Sequence, residues 1–227
     1  MSRSEPSDQS EVSSEAHTAS ISGPTANRLG LYLRELQHLQ RSGVATIRSG
    51  FLATRLGLSD SQIRRDLAQL GQLGKRGVGY EVTELIKRMR HILGTDGQWR
   101  TVIIGLGNLG QALMHYRGFR EQGFQVVAVY ESDPTKAGRT FEGVPVLAVD
   151  DLEKTLPKLG IDLAILAVPS PAAAAVADRL TRAGVKGILN FAPVSLNQQP
   201  STAVVDVDLA IELQRLAFAV VNRQRSG

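Results

Sequence analysis

Three glycines at a fixed spacing form the most chemically specific stretch of this 227-residue chain. Gly105, Gly107 and Gly110 follow an apolar run at residues 101–104 and precede a predicted helix. Glycine at these positions permits a tight turn, lets backbone amides approach a pyrophosphate, and lets a helix pack closely on its strand. The helix amino terminus would stabilise the phosphate charge. The predicted cofactor-binding residues of this loop are Gly105, Gly107, Asn108, Leu109 and Gly110.

An acidic residue downstream strengthens this interpretation. The next predicted strand ends at Glu131, 21 residues beyond Gly110, where dinucleotide-binding proteins carry a carboxylate for the adenosine ribose. Glu131 would accept hydrogen bonds from the ribose hydroxyls and repel a 2′-phosphate, which favours NAD(H) over NADP(H). Lys136 and Arg139 lie nearby and weaken that preference, and Lys136 is counted among the cofactor-binding residues. The pattern alone leaves open coenzyme A, an adenylate or a purely structural turn.

Acid and base groups for chemistry on a bound nicotinamide are scarce. The chain has four histidines, and only His115 falls after residue 100. It follows the glycine loop on a predicted helix and is more simply a surface or packing residue. No segment remains for a substrate domain, because a single helix follows the last predicted strands. A cofactor site without acid and base partners favours a sensor over an enzyme.

The basic charge of the chain is concentrated in one segment. Residues 26–100 have a net charge of +7, whereas residues 1–25 have −3 and residues 101–227 are neutral, giving +4 for the whole chain. A basic module beside a neutral one is typical of a protein that binds nucleic acid phosphates and carries a separate domain. The alternative is a solvated basic surface without a partner.

Within the basic segment the sequence predicts a helix-turn-helix. Leucines recur at helical spacing over residues 27–40, a shorter helix follows at 50–56, and Ser59 and Gln62 form a predicted capping box for a third helix. The predicted inward-facing residues of that helix are Ile63, Leu67 and Leu70. Its opposite face is polar and basic and would read base edges in the DNA major groove. The residues of this face are Ser61, Gln62, Arg65 and Gln69, with Arg64 at its edge.

A glycine-rich basic turn follows this helix. The run from Gly74 to Tyr80 carries Lys75 and Arg76 between glycines that permit positive φ. It predicts a β-hairpin tip, the wing of a winged helix, which would place both cations against DNA phosphates or the minor groove. A plain surface turn would also explain the glycines. Because the helix-turn-helix, the wing and the local charge agree, we predict double-stranded DNA as a partner.

The rest of the chain alternates strands with helices. Predicted strands occupy residues 101–104, 125–130, 144–147, 163–168 and 187–191, and a last helix runs from about 209 to 222. This alternation predicts a parallel sheet covered on both faces. The fold class is therefore α/β: an N-terminal winged helix-turn-helix domain and a C-terminal Rossmann-like, doubly wound parallel sheet. The predicted domains are a disordered tail at 1–24, a DNA-binding domain at 25–97, a nucleotide-binding domain at 98–206 and a C-terminal helix at 207–227, with a linker at 94–98.

The composition excludes several classes of protein. The chain has no cysteine, which rules out disulfides, thiolate metal ligands and a cysteine nucleophile. No window approaches the roughly 20 uninterrupted apolar residues of a bilayer span, and the amino terminus lacks the apolar core of a secretory signal. We therefore expect a cytoplasmic protein with no membrane partner and no metal.

Several of these stretches together resemble the Rex family, the redox-sensing transcriptional repressors of bacteria. The matching segments are residues 62–67, 74–80, 105–110, 186–193 and 207–210, within a resemblance that extends from about residue 25 to 222. The resemblance implies a homodimer with a winged helix and a Rossmann domain that binds NADH more tightly than NAD+. It also implies that the last helix is exchanged between subunits and inserts between the two domains of the partner.

The resemblance assigns further residues. Asp208 would pair with Arg34 in one state and with Tyr116 in the other. The residues expected beside the nicotinamide are Val168, Pro169, Phe191, Ala192 and Pro193. The chain departs from the family pattern at positions 69 and 70, where members often carry aromatic residues, and at 131, where they often carry aspartate.

These expectations combine into a repressor that senses the NADH/NAD+ ratio, binds an inverted-repeat operator and is released by NADH. Its two recognition helices would lie about one DNA turn apart, roughly 34 Å. The alternative is an NAD-dependent oxidoreductase with an accessory basic domain, which substrate-dependent NADH turnover would reveal.

Overall fold

The chain divides into two compact units. The computed structural model describes residues 21–75, 77–197 and 200–225. The division between the units lies between Asp96 and Gly97, and the C-terminal helix belongs to the second unit. Most of the predicted tail, residues 1–20, lies outside the described residues, as does Arg76 of the predicted wing.

The first unit combines helices with a small antiparallel sheet. Its described elements are α1 (Gly23–Arg41), β1 (Thr46–Ile47), α2 (Ser49–Leu56), α3 (Asp60–Ala68), β2 (Gly74–Lys75), β3 (Gly79–Glu81) and α4 (Val82–Ile92). The strands lie in the order β1-β3-β2, so β2 and β3 form the predicted hairpin and β1 adds a third strand to it. Helix-turn-helix and wing are therefore confirmed, while β1 is too short to leave an alternating pattern in the sequence.

Helix α1 begins earlier than its leucines indicate. Ser22 caps it, with its hydroxyl accepting from the amide of Thr25 at 3.4 Å, and Pro24 stands in the first turn. The prediction that the tail extends to residue 24 is therefore wrong for residues 23 and 24. A serine cap and an early proline start a helix on their own, before the apolar stripe begins.

Helix α3 is positioned by its cap and by its apolar stripe. The hydroxyl of Ser59 accepts from the amide of Gln62 at 3.2 Å, as predicted. The reciprocal half of the capping box is wrong, because the side chain of Gln62 instead donates to Asp66 at 2.9 Å. The three predicted inward-facing residues are at most 1% exposed: Ile63, Leu67 and Leu70. They pack with the buried leucines of α1 and with α4 in one core.

The second unit is an α/β sandwich. Its described strands are β4 (Trp99–Ile104), β5 (Phe124–Glu131), β6 (Thr140–Phe141), β7 (Val144–Ala148), β8 (Leu163–Leu166), β9 (Gly187–Asn190) and β10 (Ala203–Asp206). Its described α-helices are α5 (Asn108–Met114), α6 (Gly118–Glu121), α7 (Leu152–Leu159), α8 (Ser170–Arg182) and α9 (Leu209–Arg225), and a 3-10 turn covers Val149–Asp151. All five predicted strands are confirmed, with ends that differ by up to two residues.

The sheet has the strand order of a doubly wound fold. The order is β10-β9-β8-β4-β5-β7-β6, parallel throughout except that β6 runs antiparallel to β7. From β4 the chain moves outward through β5 and β7 and then returns to β8 on the other side of β4. The order therefore reverses between β4 and β8, and ligands of such sheets bind at the carboxyl ends of the strands at this point.

Alternate residues of the central strands enter two separate cores. Val102 and Ile104 join the core that contains α7 and α8, whereas Ile103 faces the other core, against which residues of α5 and α6 pack. Both faces are covered, which is why the strands read as continuous apolar runs. In the second unit, prediction missed β6, of two residues, and β10, whose Val205 is 59% exposed.

Helix α9 presents apolar side chains to solvent. Every side chain from Leu209 to Gln224 is exposed. Its large exposed apolar residues are Leu209, Ile211, Leu213, Leu216, Phe218, Val220 and Val221. The predicted last helix is thus confirmed, and within the described chain its apolar side chains remain uncovered. None of the described helices is long and apolar enough to cross a bilayer.

Candidate nucleotide site and nucleic-acid interface

The predicted glycine loop lies at the point where the strand order reverses. Gly105 follows β4 directly, and its amide donates to the carbonyl oxygen of Tyr130 at 2.7 Å. Its φ is +96°, and a Cβ there would lie 2.5 Å from the carbonyl oxygen of Ala167. Any side chain at this position would collide with the backbone that follows β8. Gly105 therefore permits the turn and the close approach of two βα loops.

The other two glycines have different reasons to be there. A Cβ on Gly110 would lie 2.0 Å from the carbonyl oxygen of Gly105, so α5 packs on its strand only with glycine at this place. Gly107 has an ordinary φ of −79°, and a Cβ built on it meets nothing within 4 Å. Neither strain nor protein contact requires glycine at 107. A side chain there would fill open space that a pyrophosphate bound at this loop would need.

Glu131 is a buried carboxylate beside this loop. It is 8% exposed, and it accepts hydrogen bonds from the amides of Leu106 and Ser132 at 2.7 Å and of Asp133 at 3.0 Å. Burial by itself would raise the pKa of Glu131, but the amides of Asp133, Leu106 and Ser132 outweigh it and the pKa is lowered. The carboxylate is therefore ionised at neutral pH and bridges the two loops that follow β4 and β5.

Lys136 closes one side of this arrangement. Its ammonium donates to the carbonyl oxygen of Leu106 at 3.2 Å and lies 3.8 Å from Oε2 of Glu131. The cation and the carboxylate therefore stand at the same edge of the glycine loop. The structure brings together the loop and both charged residues that the sequence singled out for the adenosine end of a dinucleotide.

The residues expected beside the nicotinamide lie at the carboxyl ends of the neighbouring strands. Val168 follows β8, and its Cγ1 would be 3.2 Å from a Cβ on Gly105. Pro169 is the cap residue of α8. The amide of Phe191, directly after β9, donates to the carbonyl oxygen of Leu166 at 2.9 Å. Val168, Pro169 and the stretch Phe191, Ala192 and Pro193 thus line one edge of the sheet with the glycine loop.

Asn190 organises this edge and was missed. It is fully buried at the end of β9, and its side-chain NH2 donates to the carbonyl of Val194 and to Asp206, each at 2.8 Å. Its side-chain oxygen accepts from the amide of Ala192 at 3.0 Å. Asn190 therefore shapes the predicted nicotinamide loop. The available signal was an amide residue at the end of an apolar run, a place where the buried side chain must find partners.

The predicted DNA-reading face of α3 is open to solvent. Ser61, Arg64, Arg65 and Gln69 are exposed, and Gln62 is half-buried. Arg64 donates to the hydroxyl of Ser49 at 3.2 Å and pairs with Asp60 at 2.8 Å, which joins α3 to the start of α2. Gln69 lies at the end of the helix, its amide 3.5 Å from the carbonyl of Arg65. The face is compact, and its cations lie on a capped helix.

A concave basic surface lies between α2, α3 and the hairpin. It encloses about 830 Å³, and its cationic lining comes from Arg48, Arg64 and Lys75. A Cβ on Gly79 would lie 2.5 Å from the carbonyl oxygen of Ile47, so glycine there lets the hairpin pack against β1. Lys75 is exposed on this hairpin. Arg48 and the 51% exposed Phe51 were not predicted, because they lie outside the third helix and the wing.

A buried ion pair behind this face was also missed. Asp66 of α3 is fully buried and accepts from the guanidinium of Arg28 at 2.7 and 2.8 Å, from the hydroxyl of Tyr32 at 2.7 Å and from Gln62 at 2.9 Å. The network joins α1 to α3. Its signal was visible: Ile63, Asp66, Leu67 and Leu70 share one helical stripe, so the aspartate faces the core and needs partners there.

The structure shows the exposure and contacts of each residue of the expected switch within its own unit. Arg34 is exposed on α1, and Tyr116 is 59% exposed with its ring edge-to-face on Phe119 at 5.0 Å. Asp208 caps α9, its carboxylate accepting from the amides of Ala210 at 2.8 Å and Ile211 at 3.3 Å. The pairing of Asp208 with Arg34 or Tyr116 stays a prediction.

The single histidine of the second unit forms surface contacts. The side chain of His115 is 57% exposed, with Nε2 3.2 Å from Glu142 and Nδ1 2.8 Å from the carbonyl oxygen of Gln111. These are the contacts of a surface residue rather than of an acid or base in the glycine loop. Within residues 21–75, 77–197 and 200–225, no three His, Cys, Asp or Glu side chains are grouped as a metal site would require.

Two family models match the chain in its two parts. Residues 20–68 match a putative DNA-binding protein N-terminus, and residues 96–194 match a CoA binding domain. The first match contains α3 and the candidate base-reading face except for Gln69. The second contains the glycine loop, Glu131 and the strands β4 to β9.

Full-length relatives match nearly the whole chain. The redox-sensing transcriptional repressor Rex of Rhodopirellula baltica is 46% identical over 90% of this chain and 86% of its own length. Rex of Desulfitobacterium hafniense is 45% identical over 91% of this chain and 99% of its own length.

Solved structures of a Rex-family repressor, RSP, have the same fold. RSP in complex with β-NAD+ and operator DNA superimposes with a TM-score of 0.84, at 35% identity over 90% of this chain and 94% of RSP. RSP in complex with β-NADH gives a TM-score of 0.80. With identity of about 45% to curated members along nine-tenths of its sequence, the chain belongs to the Rex family of redox-sensing transcriptional repressors.

Proposed function

We propose that this protein represses transcription by binding inverted-repeat operator DNA as a homodimer and that NADH releases it. The observation that carries the proposal is that one chain of a redox-sensing repressor family has both an exposed polar and basic face on α3 and a glycine loop between β4 and α5. RSP has been crystallised with NAD+ and operator DNA and with NADH. Operator DNA and a nicotinamide dinucleotide would account for both candidate sites of this chain.

The described residues of the nucleotide site supply groups that would bind a dinucleotide. The open space at Gly107 would receive the pyrophosphate, and the carboxylate of Glu131 would accept from the ribose hydroxyls beside Lys136. The nicotinamide would lie against Val168, Pro169 and the loop of Phe191, Ala192 and Pro193. NADH would supply an uncharged nicotinamide ring in place of the cationic ring of NAD+, and the fit of that ring is what the site would sense. The family assignment supports this sensor over an NAD-dependent oxidoreductase.

The DNA interface would use the exposed face of α3 and the hairpin. Ser61, Gln62, Arg65 and Gln69 would face base edges in the major groove, with Arg64 at the margin. Lys75 of the hairpin, and Arg76 next to it in the sequence, would contact phosphates or the minor groove. Because operator DNA and the NADH pool of a bacterium both lie in the cytoplasm, we infer that the protein acts there.

Helix α9 supports a dimer. Its exposed apolar side chains, among them Leu213, Leu216 and Phe218, would cost free energy in water unless a partner covered them. A second copy of the chain would cover them through exchange of α9. Asp208, at the start of this helix, would then pair with Arg34 or Tyr116 according to the bound nucleotide, which would couple the nucleotide site to the DNA-binding unit.

The test is a titration of the full chain on an inverted-repeat duplex, followed by fluorescence anisotropy. NADH should weaken DNA binding, NAD+ should leave it largely intact, and coenzyme A should have no effect on it. Thermodynamic linkage demands the reciprocal effect: operator DNA must weaken NADH binding by the same factor. Identical NADH affinity with and without the duplex would contradict the proposal, as would a monomer on the duplex in analytical ultracentrifugation.

A further inference from the structure

Asp66 is a buried carboxylate in the recognition helix α3 to which the proposed function gives no role. Its two oxygens accept four hydrogen bonds, two from Arg28, one from Tyr32 and one from Gln62, at 2.7 to 2.9 Å. An ionised carboxylate has about four lone-pair sites. Asp66 is therefore saturated by protein donors, and one of those donors belongs to the face expected to touch DNA.

The chemistry of a carboxylate decides how the amide of Gln62 is oriented. Burial by itself would raise the pKa of Asp66, but the hydrogen bonds from Arg28, Tyr32 and Gln62 outweigh it and lower the pKa. Asp66 therefore stays ionised and only accepts hydrogen bonds. The NH2 group of Gln62 must face it, and the carbonyl oxygen Oε1 is left as the acceptor available to a ligand. Turning the amide over would place two acceptors 2.9 Å apart.

The carboxylate of Asp66 is fixed in place and cannot move if Gln62 shifts toward DNA. Arg28 donates to Asp66 through two nitrogens and to the hydroxyl of Thr25 through Nη2 at 3.1 Å, and Tyr32 is fully buried. A bidentate guanidinium fixes the plane of a carboxylate as well as its place. Residues of α1, a helix outside the helix-turn-helix recognition surface, thus hold the carboxylate of Asp66, and the carboxylate orients the amide of Gln62.

We propose that Asp66 is a positioning residue that sets base preference: by holding the NH2 group of Gln62, it makes this side chain accept from an exocyclic amine. In the major groove adenine N6 and cytosine N4 are such donors, whereas guanine O6 and thymine O4 are acceptors. Guanine O6 and thymine O4 would set an acceptor against Oε1, and the amide cannot turn over to relieve this without opposing Asp66. For those bases only the second N–H of the amide could still donate. The inference rests on the proposed binding of DNA by α3.

The first experiment identifies the base that Gln62 reads. Anisotropy measurements compare the full-length wild type and Gln62→Ala on operator duplexes with single base-pair changes, and the position of Gln62 is the one at which the variant loses discrimination. There, purine replaces adenine, or 2-pyrimidinone replaces cytosine, to remove only the amine. Wild-type affinity should fall about tenfold and Gln62→Ala should be nearly indifferent. A preference for guanine or thymine at this position would overturn the proposal.

The second experiment tests whether Asp66 acts through Gln62. Asp66→Asn offers both a donor and an acceptor, so the amide can turn over and discrimination between amine and carbonyl bases should drop from about tenfold to below threefold. In the Gln62→Ala background, Asp66→Asn should change discrimination no further. Tyr32→Phe, which removes a donor from the same carboxylate without touching Gln62, is the matched control and should keep the wild-type discrimination.

The outcomes separate the inference from the proposed function. If the wild-type protein binds no operator duplex, both the proposed function and the inference about Asp66 are wrong. Operator binding with independent effects of Asp66→Asn and Gln62→Ala on discrimination would overturn the positioning role alone, since a merely structural residue weakens binding to every duplex equally. Should Asp66→Asn fail to fold, the amine-deletion duplexes on wild type and Gln62→Ala still decide the orientation of the amide.

Discussion

Each unit of the protein contains one buried carboxylate beside its candidate site, and the two are held in different ways. Asp66 is fully buried and Glu131 is 8% exposed. In both, hydrogen bonds outweigh burial and lower the pKa. The donors to Asp66 are side chains, two of them from α1, 34 and 38 residues away in sequence. The amide donors to Glu131 are Leu106 in the glycine loop and the two residues that follow Glu131 in the chain, Ser132 and Asp133.

The difference in donors gives the two carboxylates different roles. We call Asp66 and its donors Arg28, Tyr32 and Gln62 the clamp, and we call Glu131 with its backbone amide donors the preformed site. Side-chain donors reach across the core, so Asp66 fixes two helices against each other. Each of its hydrogen bonds can be removed by substituting one donor residue. Backbone donors survive any side-chain substitution, so Glu131 is held by the path of the main chain. Its Oε2 accepts from a single backbone amide, that of Leu106, which leaves acceptor capacity for a ligand hydroxyl. The carboxylate of Asp66 thus stabilises the DNA unit, whereas the carboxylate of Glu131 in the nucleotide unit is available to a ligand.

The largest expected effect of this difference is on stability. Asp66→Asn leaves the guanidinium of Arg28 without its carboxylate and should lower the free energy of unfolding by about 3 to 5 kcal/mol. Glu131→Gln should cost only about 1 to 2 kcal/mol, because one side-chain oxygen still accepts from the loop amides. Urea denaturation checks both. Far-UV circular dichroism follows the helices, and the fluorescence of Trp99, the one tryptophan of the chain, follows the second unit. Equal losses would erase the distinction between clamp and site.

A second prediction separates structural from ligand-binding glycines within the second unit. Gly110→Ala places a Cβ 2.0 Å from a backbone oxygen and should destabilise the unit by about 3 kcal/mol and abolish NADH binding. Gly107→Ala fills open space at an ordinary φ and should leave the unfolding curve unchanged while weakening NADH by at least about tenfold. Calorimetric titration with NADH and thermal unfolding check the pair. Wild-type NADH affinity in Gly107→Ala would show that no ligand atom occupies this space.

The sequence predicted features whose causes are local. Helix α3 was found because Ser59 caps it and its inward residues recur at helical spacing. The glycine loop was found because Gly105 and Gly110 answer backbone constraints and Gly107 completes their spacing. The strands β1 and β6 were missed since two residues show no alternation. The partner of the Gln62 side chain and the role of Asp66 were missed for another reason. They depend on Arg28 and Tyr32, whose approach to α3 is fixed only when the core forms.

A third prediction contrasts the two kinds of cation on the DNA unit. Arg65→Ala should cost about 1 to 3 kcal/mol of operator affinity with little effect on random duplexes, if the guanidinium bonds a guanine edge. Lys75→Ala should weaken operator and random duplexes alike and reduce the salt dependence of binding by about one unit of slope. Anisotropy at several salt concentrations measures both. Equal losses for Arg65→Ala on both duplexes would make it a phosphate contact.

The smallest effect is the response of the clamp to acid. Because the pKa of Asp66 is lowered in the folded state, its contribution to stability is complete above the ordinary aspartate value of 3.8 and is lost as pH falls through the folded pKa. The difference in unfolding free energy between wild type and Asp66→Asn should therefore be constant from pH 7 to about 5. It should then shrink by no more than about 1 kcal/mol down to pH 3.

Denaturation at a series of pH values measures that difference, and Tyr32→Phe serves as the control. This variant keeps the ion pair with Arg28, so its acid response should begin at the same pH as that of wild type, though from a stability lower by about 1 to 2 kcal/mol. A difference between wild type and Asp66→Asn that grows on acidification would mean that Asp66 is protonated in the folded protein. Asp66 would then donate a hydrogen bond, and the amide of Gln62 would be free to turn over.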